Sequence, residues 1–342
     1  MKSDAIKIFQ AGVDAVEASR SVHSHVQTAG NDLIVGKNRY DLERYSRIRV
    51  IGAGKAAAGM ARALEAILGS RIDTGVICVK YDHGLPLTQI RTMEAGHPLP
   101  DNNGQAAARQ IMDLAQSADE ETLVFVLLSG GGSALLPLPA PGISLAQKQV
   151  VTQVLLDCGA DIQEINTIRK HLSAIKGGQL ARAVYPATLV CLVLSDVVGD
   201  DLSSIASGPC VPDPTTFQAC LDIIAKYDIR QQLPKAAADR FSQGARGRLP
   251  DTPNSEDPCF NRTDHVLVGT NLQALNAAAA LAQDLGYHPV IVSDRITGDT
   301  RLAAADHVTL IRELRGGKSE IGRPECILSG GETTVRMRGR GK

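Results

Sequence analysis

Val50-Ile51-Gly52-Ala53-Gly54-Lys55-Ala56-Ala57-Ala58-Gly59 decides the fold. A β-branched run, Ile48–Ile51, breaks on glycine and gives way to an alanine-rich stretch, Ala56–Leu68, with helical character. That strand–turn–helix pattern recurs. Leu123–Leu128 runs into a glycine loop, Tyr185–Leu194 is a similar apolar run, and Val266–Val268 leads into Leu272–Leu285 and then Val290–Val292. Near-continuous apolar strands alternating with helices predict a parallel sheet covered on both faces. The expected class is α/β: a Rossmann-like parallel-sheet domain with a second, smaller α/β domain.

At roughly 150 residues per domain, a chain of 342 residues favours two domains. Ser242–His265 carries three prolines, few large aliphatics and many turn formers, so it reads as a connection. The expected division is therefore residues 1–241, linker 242–265 and residues 266–342. Apolar positions at helical spacing (Ile6, Ile8, Phe9, Val13, Val16) predict an N-terminal amphipathic helix over 4–27. The final segment, 326–342, reads as two strands around a glycine turn with nothing after them to pair. A chain cut short is the expectation there, and with it an incomplete second domain.

Charge balance excludes several function classes. Lys and Arg number 36 against 37 Asp and Glu, a net charge of -1, which lacks the basic footprint of a nucleic-acid or anionic-membrane binder. Aromatics are 3% and Trp is absent, so base-stacking platforms are not expected. The 7 cysteines form no C-x-x-C pair, which argues for reduced core thiols and against a zinc or iron–sulfur site. Met-Lys-Ser-Asp-Ala at the start lacks a signal-peptide apolar region. The charge-free stretch Thr122–Gln147 is interrupted by glycines and by Pro137, Pro139 and Pro141, so it is no membrane span. A cytoplasmic protein acting on a small molecule is expected, with a homodimer as its expected assembly.

Five segments carry candidate chemistry. Gly52, Gly54 and Ala57 fit the dinucleotide fingerprint, in which a glycine turn lets backbone N–H groups approach a phosphate; a tight turn with a solvated lysine is the plainer reading. Lys55 inside that loop suits a transferring phosphoryl group better than a nicotinamide pyrophosphate. Tyr81-Asp82 stands where the fingerprint wants an acid for the ribose. Ser129-Gly130-Gly131-Gly132-Ser133 follows a second buried strand; three glycines are costly to order, and a phosphate cradle is favoured over a simple turn. It is not a Walker A loop, because no G-K-[ST] follows.

Arg169, Lys170, His171 and Lys176 fall within eight residues, either as a solvated basic face or as an anion clamp. At helical spacing Arg169, Leu172 and Lys176 share one face. Asp196, Asp200 and Asp201 follow a buried strand. Carboxylates there suit Mg²⁺, or the orientation or deprotonation of a hydroxyl nucleophile, or simply a turn. Function is favoured for Asp196; for Asp200 and Asp201 the two readings balance. Glu332, between glycines and threonines, faces a ligand or closes a hairpin. His97 reads first as a packed loop histidine, since no nucleophile is paired with it by sequence.

Taken in order, GAGKAA (52–57), AGHPLPD (95–101), LLSGGGSALL (127–136), IRKHLSAIKGG (168–178), LSDVVGDD (194–201), IASGPCVPDPTTF (205–217) and SGGETTV (329–335) resemble the type II glycerate kinases, glycerate 2-kinases with a leucine-rich C-terminal domain. The resemblance runs over nearly the whole chain. It implies a cleft between a larger Rossmann-like and a smaller α/β domain, and transfer of the ATP γ-phosphoryl group to the 2-hydroxyl of D-glycerate with Mg²⁺. Lys55 matches the family's active-site lysine.

On that basis Lys55, Asp196 and Arg169 are the expected catalytic residues. Gly52, Gly54, Ser129, Gly130, Gly131, Gly132 and Ser133 are expected to hold the nucleotide, Lys170, His171 and Glu332 the substrate, and Asp196 and Asp200 the metal. Val198 departs from the family's proline and Cys210 from its threonine. Family members continue past the final glycine-rich strand into a GGRNQE-like stretch with another active-site arginine. Some relatives bear the name hydroxypyruvate reductase, so an NAD(P)H-dependent reductase is the alternative, followed by an inactive nucleotide-binding paralogue.

Overall fold

The computed structural model describes residues 2–316 and 324–335. It opens with helices α1 (Lys2–Ala15) and α2 (Ala18–His25), then an antiparallel meander, β1 (Val26–Ala29), β2 (Asp32–Val35) and β3 (Asn38–Asp41). Next come β4 (Arg47–Ala53), α3 (Ala57–Leu68), β5 (Ile72–Lys80), β6 (Ile90–Ala95), α4 (Asn102–Gln116) and β7 (Thr122–Ser129). The short α5 (Gly132–Leu135), α6 (Leu145–Asp157), α7 (Ile162–His171) and α8 (Gln179–Val184) precede β8 (Thr188–Leu194). After α9 (Phe217–Lys226), α10 (Lys235–Ala245) and β9 (Thr263–Gly269) come α11 (Asn271–Asp284), β10 (His288–Ile296), α12 (Thr300–Gly316) and β11 (Glu325–Gly331).

β4 to β9 form one sheet in the order β6-β5-β4-β7-β8-β9, parallel throughout. This is the doubly wound Rossmann order, and the fold class is α/β as expected. All eight residues of β7 are buried. Leu123, Phe125 and Leu127 pack with Val50, Met60 and Leu64 on one face, while Val124, Val126 and Leu128 pack with Ala107, Ile111 and Leu180 on the other. Burial on both faces is why the strand reads as an unbroken apolar run. Each such side chain stabilises the fold by roughly 1.5–3 kcal/mol. Strand order reverses between β4 and β7, and the crevice beyond their carboxyl ends is where such sheets bind ligands.

Several expectations need correction. The N-terminal helix is two helices. Its apolar positions serve different partners: Ile8 of α1 packs with Ala278 and Ala282 of α11, whereas Val22 of α2 joins the core beneath α3. The division drawn at 266 falls inside β9. Leu192 of β8 pairs with Val266, so residues 263–269 belong to the main sheet. Much of the expected linker is packed chain, with Asp251 accepting from the Phe217 N–H and Thr252 bonding Asp213. β11 is not left unpaired but lies parallel to β10. The second strand expected at the end falls mostly outside the described residues.

A separate helical layer was not legible from the motifs. α6, α7, α9 and α10 enclose their own core of Val151, Leu155, Ile168, Phe217, Ile224 and Phe241. All seven cysteines are free, five of them buried. Among the described residues no helix is long and apolar enough to cross a membrane.

Candidate active site

Two loops leave the sheet side by side at the β4/β7 reversal. The Lys55 N–H donates to the Gly130 carbonyl (2.9 Å), and the Ala56 N–H donates to Ser129 Oγ (3.0 Å). Gly54 has φ 144°, and a Cβ there would lie 2.0 Å from Ser129 Oγ. Glycine is needed because the loops touch. The buried Ser129 hydroxyl is thus a strut between them.

Beyond this seam, the groups expected to do chemistry converge. A Cβ on Gly130 would stand 1.9 Å from Asp196 Oδ2, so the carboxylate lies directly over the loop backbone. A Cβ on Gly131 (φ 84°) would meet the His97 ring at 2.9 Å and Lys55 Cε at 3.4 Å. Lys55 and Asp196 are exposed and His97 is half-buried. Burial first, then the charges of Lys55 and Lys80, lowers the His97 pKa against the opposing pull of Asp196. That direction favours the neutral imidazole. His97, set aside by sequence, stands with Lys55 against Gly131; its signal was the AGHPLPD segment, which lies on β6's far end. Gly130→Ala should displace the Asp196 carboxylate by about an ångström and lower kcat by up to ~10²-fold, with little change in thermal midpoint. Steady-state kinetics beside a melting curve checks this.

Behind the glycine loop lies a second constellation. Arg169 donates to Ser133 Oγ (2.7 Å), and the buried Lys176 ammonium donates to the Ser133 carbonyl (2.8 Å), its Oγ (3.1 Å) and the Ala206 carbonyl (3.3 Å). Ser133 Oγ also bonds Ser207 Oγ (2.7 Å), whose hydroxyl donates to Asn166 Oδ1 (3.3 Å). α7 ends at His171, so Arg169 and Lys176 meet through the turn that follows and not through helical spacing. Ala206 and Ser207 hold positive φ (52° and 61°), backbone strain of order 1–3 kcal/mol each, fixed by these bonds. Lys176, expected on a solvated basic face or in an anion clamp, is buried against Ser133 and Ala206, and Ser207, to which no role falls by sequence, joins it there.

Three expected residues point elsewhere or stand apart. Lys170, expected on the substrate, is buried and paired with Asp213 (3.3 Å). His171, expected beside it, stacks edge-on against Phe217 (4.6 Å) and lies 3.5 Å from Asp251, both lining a cavity of about 480 Å³ in the helical layer. Successive residues at the end of a helix leave in different directions, so neither follows Arg169. Glu332 is exposed, its N–H donating to the Ile296 carbonyl (2.9 Å) beside β10.

Asp196, Asp200 and Asp294 line a cleft of about 260 Å³ between the β8 end and the β10–β11 pair. Among the described residues no group of three His, Cys, Asp or Glu is placed to hold a metal by itself. Asp201 is taken up by its own turn, accepting from Ser203 and Ser204 hydroxyls (2.8 and 2.7 Å). Cys210 is buried in the core with Cys191 and Val193, its carbonyl accepting from His265 (2.9 Å).

The fold and these loops define a doubly wound α/β protein that gathers a lysine and an aspartate over a glycine-rich turn at the strand-order reversal. The chain belongs to the family described as a domain of unknown function, DUF4147, which it matches over residues 4–242. It is 36% identical to the glycerate 2-kinase of Pyrococcus horikoshii, over 98% of this chain and 74% of that protein. A putative hydroxypyruvate reductase of Agrobacterium vitis is 40% identical over 95% of this chain and 72% of its own. The crystal structure of a glycerate kinase from Thermotoga maritima superposes with a TM-score of 0.84 at 33% identity, over 100% of this chain and 76% of that one.

Proposed function

We propose that this chain is a glycerate 2-kinase, moving the γ-phosphoryl group of ATP to the 2-hydroxyl of D-glycerate. The observation that carries the reading is the convergence of Lys55, Asp196 and the Gly130–Gly131 backbone at the strand-order reversal. Phosphoryl transfer asks mainly for positioning and neutralisation of charge on the moving group. Lys55, exposed on a loop pinned to Gly130, supplies a positive charge at that point. Gly130–Gly131 carry no side chain where a Cβ would collide with Asp196 or His97, so both groups can close on the loop.

Asp196 and Asp200 form no ion pair with a protein cation among the described residues and share one cleft, which fits a Mg²⁺ ion held by one or two carboxylates and completed by phosphate oxygens. Such an ion would draw charge off the transferring phosphoryl group. Asp196 can alternatively orient or accept the proton of the glycerate hydroxyl.

The Agrobacterium vitis relative's name favours the second reading, reduction of hydroxypyruvate by NAD(P)H. A ketone reductase needs a proton donor beside the carbonyl. His97 is the imidazole at this site, and its surroundings lower its pKa. That direction suits a neutral ring, not a stored proton. The deciding experiment follows ADP release with D-glycerate and Mg-ATP, in parallel with NADH absorbance in the presence of hydroxypyruvate. ADP formation with no NADH loss is expected; steady NADH oxidation would reverse the choice, and ATP binding without either turnover would identify an inactive nucleotide-binding paralogue.

A further inference from the structure

Lys148 has no part in the sequence motifs, yet its ammonium is buried with neither a counter-charge nor a hydrogen-bond partner among the described residues. Lys148 sits on α6 with 6% of its surface exposed. The charge of Arg169 reaches it from α7, and its own charge reaches Lys176. Among the described residues no carboxylate pairs with Lys148, Arg169 or Lys176. Arg169 spends one guanidinium nitrogen on Ser133 (2.7 Å to Oγ), and its other two nitrogens make no hydrogen bond to the described protein. α6 is also tied to the His97 loop, because Gln149 Nε2 donates to the Pro100 carbonyl (2.8 Å).

Burying a charge without a counter-charge is costly and drives buried amines toward their neutral form, as it does Lys148 and Lys176, so three neighbouring basic groups with no anion mark a place that an anion completes. We propose that the free edge of the Arg169 guanidinium, backed by the buried Lys148 and Lys176 ammonium groups, is the seat of the carboxylate of the acceptor hydroxy acid. The inference rests on the kinase reading and names how that site recognises its substrate class. Lys148 takes the role that sequence gave to Lys170, which Asp213 already occupies. Arg169 presents the planar fork that a carboxylate matches, while Lys148 adds charge as a positioning residue. Burial and Arg169 together pull the Lys148 ammonium down to about 7, a strain that a bound anion relieves.

Lys148→Met separates this role from a structural one, because the Lys148 side chain makes no hydrogen bond whose loss would unsettle a neighbour. Calorimetric titration of D-glycerate into wild type and Lys148→Met, without nucleotide, reads the seat directly. The expected result is a Kd raised roughly tenfold or more, ATP affinity unchanged, and a thermal midpoint equal to or above wild type. An unchanged glycerate Kd overturns the proposal, as does a loss confined to ATP, which would assign the anion to a nucleotide phosphate. A lowered midpoint with unaltered glycerate binding overturns it too, in favour of a structural lysine. Because binding is measured apart from turnover, a wild type that binds glycerate through Lys148 but forms no ADP sinks the kinase reading and leaves the seat standing.

Discussion

Lys55→Ala is expected to lower kcat for glycerate phosphorylation by about 10²–10³-fold, the loss typical of one preorganised donor facing charge that develops in the transition state. The side chain is exposed and packs in no core, so the thermal midpoint should stay within the small range of surface substitutions. The loop itself should persist, because the bond from residue 55 to Gly130 is a backbone N–H that alanine keeps. Glycerate KM should change little if the acceptor is held by the Arg169 cluster. Lys55→Arg is expected to recover only part of the rate: a planar, longer fork does not place its charge where an ammonium stood beside Gly131 and His97. Steady-state kinetics in both substrates tests this, and a kcat within threefold of wild type would remove Lys55 from the transition state.

Lys170→Met is expected to destabilise the protein by about 3–5 kcal/mol while leaving glycerate KM near wild type. Both side chains of the Lys170–Asp213 pair are shielded from water, at 6% and 0% exposure. Asp213 also accepts from Thr215 Oγ1 (2.8 Å) and Thr252 Oγ1 (2.8 Å), so removing the lysine leaves a carboxylate held by hydroxyls and unneutralised. Adding Asp213→Asn removes that orphaned charge, and the double variant should be more stable than Lys170→Met alone. Urea unfolding of the single and double variants checks the energies. A full-strength single variant with raised glycerate KM would instead return Lys170 to the substrate.

The contrast between these lysines shows how far the motifs could be read. Lys55 was legible because its neighbours are local: a buried strand, a turn that admits only glycine, and a helix. Arg169 was legible as part of a basic cluster, but Lys170 and His171, adjacent in sequence, face Asp213 and Asp251. His97 was read as packing because its partners, Lys55 and Gly131, come from other loops. Lys148 resembles any solvated helix lysine until α7 is laid beside it.

The chain alone was enough to reveal the α/β class, the two glycine loops and the candidate Lys55, since continuous apolar strands and glycine-dependent turns are imposed by burial and backbone sterics within a few residues. Which cation meets a counter-charge, and which is left waiting for one, rested on contacts between segments tens of residues apart. Electrostatic pairing depends on distance in space, and that distance exists only once the helical layer has closed over the end of the sheet.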